Sequence, residues 1–294
     1  MDEVGEILFI ENDFIKLCVI PNLGAKVSSI VYKPQNFEIL FQPTSEYSLP
    51  NYGDHFEKYD TSGIDELFPN VEEGEYPFKE YLGEKLPDHG ELWSIPWKCK
   101  IINKSIVCTV KSIKFQYIFE RKISLKKNSI IFEYYVENRG TKNFIGFWTF
   151  HGLLAIDEKS ELLLNINKIM NVHDSKFLGN AGNICTYPIY KGYRLNKFLP
   201  KSSKNTEKFF LLSKIDKAGI ILNNGKLKLT YDLKETPFLG IWKNEGGFKG
   251  EYNCALEPSN GFYDSMEIVK KTKKYMFLHP EENKKWSFKI ELNE

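Results

Sequence analysis

Arginine is scarce in this chain of 294 residues. Only Arg121, Arg139 and Arg194 occur among the 40 lysines and arginines. A site built for phosphate favours the bidentate fork of a guanidinium group, so the shortage argues against a phosphorylated substrate. The basic residues are balanced by 39 acidic ones, which leaves a formal net charge of +1. We therefore expect neither nucleic acid nor an anionic membrane as a partner.

Long apolar runs and export signals are also missing. No apolar stretch approaches the roughly 18 residues that a membrane-spanning helix needs. The first three residues, Met-Asp-Glu, lack the basic start and apolar core of a signal peptide. These absences predict a cytoplasmic protein that does not interact with membranes.

Cysteine is infrequent and widely spread. The five cysteines are odd in number and form no Cys-x-x-Cys pair. Four of them lie in apolar, strand-like runs, a pattern that favours buried thiols in a reducing compartment over disulfides or zinc. The histidines show neither the i, i+4 nor the His-x-His spacing of common metal sites, so we also expect no bound metal.

Alternation of apolar and polar residues is the dominant pattern. It is clearest in Lys285–Leu292, Phe115–Glu120 and Ile130–Val136, where every second residue is apolar. Such segments are typical of half-buried antiparallel strands. Short helical turns are expected only near Ile64–Phe68 and Ser265–Lys273. About fifteen short strands predict an all-β fold of two large, mainly antiparallel sheets packed face to face, or a barrel.

Turns and loops complete the predicted organisation. The pair Asn224–Gly225 between two apolar runs predicts a hairpin. Two long segments, Gln42–Leu92 and Asn167–Lys208, are poor in strands, and loops of that length in a compact domain are usually functional. No shift in composition marks a linker, so we expect one domain over residues 1–294.

The segment Pro87–Trp97 concentrates groups that suit a sugar. It holds His89, the carboxylates of Asp88 and Glu91, and two tryptophans that include Trp93. Aromatic rings can cover the C–H faces of a sugar while polar groups bind its hydroxyls. Alone, the segment could equally be the entry to a strand with a hydrogen-bonded histidine.

Two further residues are candidates for proton transfer. His151 ends an aromatic run and precedes Gly152, which places an imidazole at the rim or on the concave face of a sheet. A core histidine that donates to a backbone carbonyl is the alternative. Glu257 ends an apolar run and is followed by Pro258, so partial desolvation would raise its pKa toward that of a general base. A rim glutamate paired with a lysine is the alternative there.

Three other features have simpler interpretations. Asp65 begins the acidic sequence Asp-Glu-Leu-Phe-Pro, which is most simply a short helix capped by Thr61 or Ser62. Trp242, upstream of Glu257, offers a further aromatic ring that could pack against a sugar. The remaining histidines lie in polar, turn-like surroundings and are predicted to be on the surface: His55, His173 and His279.

Several motifs follow one another in an order that resembles the galactose mutarotase-like (aldose 1-epimerase) superfamily, over nearly the whole chain. They are Asn22–Ile30, Asp65–Pro69, Asp88–Gly90 followed by Trp97, Phe150–Gly152, Leu239–Trp242 and Leu256–Pro258.

The resemblance implies a β-supersandwich with a sugar bound on the concave sheet. It implies that His151 is the general acid and Glu257 the general base, and that His89 contacts the sugar. We expect Asp88, Asp65 and Trp242 to bind substrate in the same pocket. The implied reaction interconverts the anomers of a free aldose by ring opening and closure and needs no cofactor. A monosaccharide or small carbohydrate is the expected partner, with the protein a monomer or homodimer.

Two other functions stay open at this stage. A non-catalytic carbohydrate-binding or sensing protein on the same scaffold would use His89, Trp93, Trp148 and Trp242 as its ligand surface. A glycoside hydrolase would pair Glu257 with Asp65 or Glu91 across the substrate, at a separation of about 5–9 Å. Family members usually continue His-Gly with an apolar-Ala-Arg sequence, so the different tail Glu91–Trp93 is expected to decide substrate preference.

Overall fold

The computed structural model describes residues 4–293 and is an all-β protein. Two large antiparallel sheets, of 11 and 8 strands, are accompanied by three two-stranded ribbons. The strands in chain order are β1 Leu8–Glu11, β2 Ile15–Ile20, β3 Lys26–Tyr32, β4 Phe37–Glu38, β5 Ile64–Leu67, β6 Gly74–Glu75, β7 Lys85–Leu86, β8 Lys98–Ile102, β9 Ser105–Lys111, β10 Tyr117–Lys126, β11 Ser129–Asn138, β12 Phe144–Gly146, β13 Thr149–Ala155, β14 Glu161–Leu163, β15 Lys168–Asn171, β16 Ile184–Thr186, β17 Ile189–Tyr190, β18 Tyr193–Arg194, β19 Asn205–Leu211, β20 Lys217–Leu222, β21 Gly225–Tyr231, β22 Phe238–Glu245, β23 Tyr252–Ser259, β24 Met276–Leu278 and β25 Asn283–Asn293.

Helical structure is confined to short pieces within residues 4–293. The α-helix α1 spans Met266–Thr272, as the sequence predicted for this region. Five 3₁₀ turns cover Lys33–Gln35, Phe56–Lys58, Lys79–Tyr81, Leu92–Ser94 and Lys201–Ser203. A helix with the length and apolar character to cross a bilayer is not found among the residues described.

The order of the strands places β13 and β23 at the centre of the larger sheet. That sheet runs β1-β2-β3-β5-β13-β23-β22-β19-β15-β16, with β4 beside β3. The smaller sheet runs β14-β20-β21-β25-β11-β10-β9-β8. The prediction of two large, mainly antiparallel sheets is confirmed.

The core lies between the sheets and is rich in aromatic rings. Tyr134 of β11 stacks on Trp286 of β25 with ring centroids 5.3 Å apart, and Phe132 stacks on Phe288 at 4.9 Å. Phe150 of β13 meets Phe288 edge-on at 4.7 Å. These contacts explain the period of two, because one side of each strand enters the core.

A buried ion pair also joins the two sheets. Arg121 of β10 and Glu66 of β5 approach to 3.0 Å between Nη1 and Oε1, and both are fully buried. Tyr134 and Trp148 donate further hydrogen bonds to Glu66, at 2.8 and 2.6 Å. Because neighbouring residues of a strand point to opposite faces, Asp65 must face away from this core.

The helix predicted near Ile64–Phe68 is therefore wrong, since Ile64–Leu67 forms strand β5. Two adjacent acidic residues look unsuited to a buried strand. Each has a cation on its own side, Lys26 for Asp65 and Arg121 for Glu66. Both cations lie far away in the sequence, so no local pattern shows them.

The hairpin prediction is confirmed and refined. Strands β20 and β21 are joined by the two residues Asn223 and Asn224, and Leu222 pairs with Gly225. The turn thus lies one residue earlier than the pair Asn224–Gly225.

The cysteine prediction is wrong for one pair. Cys99 of β8 and Cys108 of β9 are directly opposite in the ladder, with Cα atoms 4.0 Å apart, and form a disulfide. Their sequence spacing gives no sign of this cross-strand register. Cys18, Cys185 and Cys254 are free.

Candidate active site

The larger sheet carries a row of polar side chains on the face turned away from the core. Thr149 pairs with Ser259 and Leu153 with Ala255, which sets His151 of β13 opposite Glu257 of β23. On the far side of Glu257, Gly240 of β22 is its cross-strand partner. A Cβ atom at Gly240 would lie 3.2 Å from Oε2 of Glu257, a tight contact. Glycine at this position therefore avoids crowding the carboxylate.

The two strand-poor segments border a cavity of about 470 Å³ on this face. That volume falls within the range of small-molecule sites. Predicted site residues in its wall are Asp88, His89, His151 and Trp242. Lining residues that the sequence analysis did not assign to the site include Phe56, Glu72, Leu153, Lys208, Phe248, Glu251 and Asp264, together with His55 and His173, which it predicted to be on the surface.

His89 is held rigidly at the cavity wall. Its backbone adopts φ +59°, and its N–H donates to the carbonyl of Val71 at 2.8 Å. Phe56 stacks on the imidazole with centroids 4.3 Å apart, and Nδ1 lies 2.7 Å from Oδ1 of Asp88. Although burial opposes the charge of Asp88, the hydrogen bond to His89 holds the pKa of this carboxyl below its ordinary value. The arrangement fixes the ring and leaves Nε2 of His89 available to a ligand.

His151 and Glu257 meet at the base of the cavity. The distance from Nε2 of His151 to Oε1 of Glu257 is 4.0 Å. Glu257 is fully buried, and it lies just behind the cavity wall, in contact with His151 and Lys208, which both line the cavity. Among the residues described, Oε1 of Glu257 and Nδ1 of His151 have no hydrogen-bond partner.

Lys208 of β19 supplies a positive charge next to Glu257. Its Nζ lies 3.0 Å from Oε2 of Glu257 and 2.9 Å from Oδ2 of Asp264. Burial disfavours its charge, but Asp264 and Glu257 outweigh that effect and raise the pKa of Lys208. The ammonium group therefore occupies one oxygen of Glu257 and leaves Oε1 facing His151.

Burial shifts the two candidate proton-transfer groups in opposite directions. It raises the pKa of Glu257 above its ordinary value, with Lys208 opposing the shift. It lowers the pKa of His151 well below its ordinary value, and the nearby His89 and Lys208 add to the shift. A carboxyl and an imidazole normally differ by about two pKa units. The upward shift makes Glu257 a stronger base, and the downward shift makes His151 a stronger acid.

Asp65 is placed beside the site but does not line the cavity. It is the cross-strand neighbour of His151, and its Oδ2 lies 2.5 Å from Nζ of Lys26. Lys26 also donates to the carbonyl of Ser62 at 2.6 Å. This buried pair supports strand β5 next to His151 and gives Asp65 a structural partner.

The tail Glu91–Trp93 is buried and does not line the cavity, so any effect on substrate preference would act through the residues that it positions. Glu91 is fully buried and accepts hydrogen bonds from Tyr52 at 2.9 Å and Ser112 at 2.6 Å. Trp93 is buried and donates to the carbonyl of Asp88 at 2.9 Å.

The aromatic ligand surface is also smaller than predicted. Trp148 lies in the core between the sheets, so neither it nor Trp93 can face a ligand. Trp242 is half-buried in the cavity wall, and its Nε1 donates to Asn253 at 3.2 Å. Phe56 provides a second ring there. No sequence signal distinguishes it, because it lies in a long irregular segment.

Comparisons with known proteins place this arrangement in a structural context. No protein-family model matches the chain, and a search of curated proteins finds no match. Similar solved structures include a galactose mutarotase-like protein from Lactobacillus casei ATCC 334, with 19% identity, TM-score 0.72 and coverage of 98% of this chain and 100% of that one. A galactose mutarotase related enzyme from Lactobacillus acidophilus has 16% identity, TM-score 0.68 and 98% coverage of both chains.

A third solved structure agrees with these two. It is a galactose mutarotase-like protein from Clostridium acetobutylicum, with 14% identity, TM-score 0.68 and coverage of 98% of this chain and 95% of that one. Identities this low establish a shared architecture, and the resemblance seen in the sequence is confirmed at that level. The chain has the galactose mutarotase-like fold.

Proposed function

We propose that this protein is a cytoplasmic, cofactor-independent aldose 1-epimerase that interconverts the anomers of a free monosaccharide. The observation that carries the proposal is that His89 and His151 line one cavity, with Glu257 4.0 Å from His151 just behind its wall. His151 and Glu257 come from adjacent strands of one sheet, which holds proton-transfer groups more precisely than loops do.

The reaction needs two proton transfers on the same sugar. Oε1 of Glu257 takes the proton of the C1 hydroxyl while His151 gives a proton to the ring oxygen, and the C1–O5 bond breaks. The aldehyde rotates about C1–C2, and ring closure returns both protons with the roles reversed. Ring opening thus moves a net one proton from His151 to Glu257 by way of the sugar, and ring closure moves it back. The raised pKa of Glu257 and the lowered pKa of His151 both favour the opening transfer.

His89 and Trp242 hold the sugar in this mechanism. Nε2 of His89 is free to bind a hydroxyl, because Nδ1 is engaged by Asp88. Phe56 and Trp242 supply ring faces on the cavity wall. Such contacts orient the C1 hydroxyl and the ring oxygen toward the acid–base pair.

One observation favours a second candidate, a carbohydrate-binding protein without catalysis. The ammonium group of Lys208 lies 3.0 Å from Glu257 and weakens that carboxylate as a base. Glycoside hydrolysis is less favoured, since Glu91 and Asp65 are both engaged by structural partners. Asp264 shares Lys208 with Glu257, so each of these two carboxylates already has one oxygen beside the same ammonium group.

Exchange between the anomers of free aldoses, followed by NMR or polarimetry, tests the proposal. Glu257→Gln and His151→Asn should each reduce the catalysed rate by about 10²–10⁴-fold, the usual contribution of a positioned acid or base. The His279→Asn variant, at an exposed histidine outside the cavity wall, should match the parent. Circular dichroism should show an unchanged fold in all three.

The two candidate functions give different results in this assay. Undiminished exchange in both site variants would overturn the assigned roles. Saturable sugar binding by the parent protein without faster exchange would select the binding protein instead.

A further inference from the structure

Three side chains from distant parts of the sequence meet in the cavity wall. Glu72, His173 and Asp264 each present one ligating atom, and these atoms lie within 4.8 Å of one another. The backbone N–H of Glu72 donates to the carbonyl of Asp264 at 3.2 Å, which ties two of the three segments together. Histidine spacing in the sequence predicted no metal, but a site assembled from separate loops has no such spacing.

Asp264 has an oxygen without a partner. The residue is 1% exposed, and its Oδ2 lies 2.9 Å from Nζ of Lys208. Oδ1 is buried and has no hydrogen-bond partner among the described residues. A buried acceptor left unpaired costs free energy, so this atom favours a bound cation.

The formal charges around this point do not balance. The carboxylates of Glu72, Asp264 and Glu257 are accompanied by the single ammonium group of Lys208. Acidic side chains thus outnumber ammonium groups among the described residues at this point, and the buried carboxylate of Asp264 needs a cationic partner. A divalent cation between Glu72 and Asp264 would supply further positive charge.

We propose that Glu72, His173 and Asp264 bind one divalent transition-metal cation, such as Mn²⁺ or Zn²⁺, in the wall of the cavity. One imidazole and two carboxylates suit these ions, and three protein ligands leave coordination positions open to the cavity. Lys208 holds the other oxygen of Asp264, as outer-shell partners of ligating carboxylates do. This proposal does not rest on the epimerase activity, although Lys208 contacts both Asp264 and Glu257.

Metal titration of the full chain, first dialysed against EDTA, tests the site. Isothermal titration calorimetry with MnCl₂ and with ZnCl₂, and Mn²⁺ electron paramagnetic resonance, should each show one equivalent bound. Glu72→Gln and His173→Ala should each weaken binding at least about tenfold, because even outer-shell changes commonly cost 10–100-fold. Glu73→Gln makes the same chemical change at the next residue, which lies outside the cluster, and should bind like the parent.

The outcomes separate clearly. No binding of either metal at millimolar concentration, or binding that Glu72→Gln and His173→Ala leave unchanged, would overturn the site. Thermal unfolding of each variant without metal checks that it is folded. Anomer exchange measured with and without Mn²⁺ reports separately on the epimerase, so failure of one proposal does not imply failure of the other.

Discussion

At the scale of single residues, His151 combines burial with a position next to charged groups. It is 7% exposed, and burial, followed by the effects of His89 and Lys208, lowers its pKa well below the ordinary 6.5. Burial therefore favours the neutral imidazole in the folded protein without a bound sugar, and as the proposed general acid His151 must take up a proton before it can give one to the ring oxygen. An unfolded chain would protonate it at the ordinary pKa, so the residue links folding to pH.

The sign of this linkage gives a prediction. Below pH 6.5 the unfolded state takes up the proton first, so stability from neutral His151 is complete above pH 6.5 and is lost as the pH falls toward the folded-state pKa. One group can contribute a slope of at most about 1.4 kcal/mol per pH unit. In urea unfolding between pH 5 and 7, His151→Asn should show a shallower decline than the parent. Parallel declines in parent and variant would contradict a His151 that stays neutral in the folded state.

At the scale of elements, the turn that carries His89 depends on glycine. Gly90 has φ +74°, and a Cβ atom there would collide with the backbone of Phe68. The N–H of the next residue, Glu91, donates to the same Phe68 carbonyl at 2.8 Å, so the turn cannot move away without losing that bond. The turn is what aims His89 at the cavity.

Gly90→Ala should therefore destabilise the protein by more than the strain of a positive φ alone, which is of order 1–3 kcal/mol. Gly83→Ala is the matched control, because Gly83 has φ +81° but open space around its Cβ position. Chemical denaturation of the two variants isolates the cost of the collision. Equal losses of stability would show that Phe68 yields to the added methyl group.

The sequence predicted strands well where one face of the strand is apolar and buried and the other is exposed to solvent. Period-two alternation located β10, β11 and β25, because their inner faces enter a single core. It failed for β5, whose inner and outer faces both carry a buried carboxylate. The roles of Lys208 and Asp264 could not be predicted either. Their partners come from strands and turns that only the folded sheet brings together, and no local spacing records that.

At the scale of the whole molecule, the two sheets are joined by a charge pair inside an aromatic core. Arg121 reaches from the smaller sheet to Glu66 in the larger one, and it also donates to the carbonyl of Ala25. Removing one partner leaves the other charge buried and alone, which typically costs 3–5 kcal/mol.

Arg121→Met should therefore lower the free energy of unfolding by about 3–5 kcal/mol. Lys122→Met, one residue along the same strand, removes an exposed partner of Glu133 and should cost at most about 1 kcal/mol. Urea unfolding of both variants gives the comparison. A small loss in Arg121→Met would mean that packing alone holds the sheets together.

Strand β5 is only four residues long, yet it carries Asp65 toward the cavity side and Glu66 toward the core. A slip by one residue would exchange their faces, as it does for any strand. The shorter aspartate would then have to reach Arg121 across the sheets, while the longer glutamate would crowd Lys26. Because the side chains of Asp65 and Glu66 differ in length, only one register of β5 lets both reach their cations. That register also fixes the position of His151 on the adjoining strand.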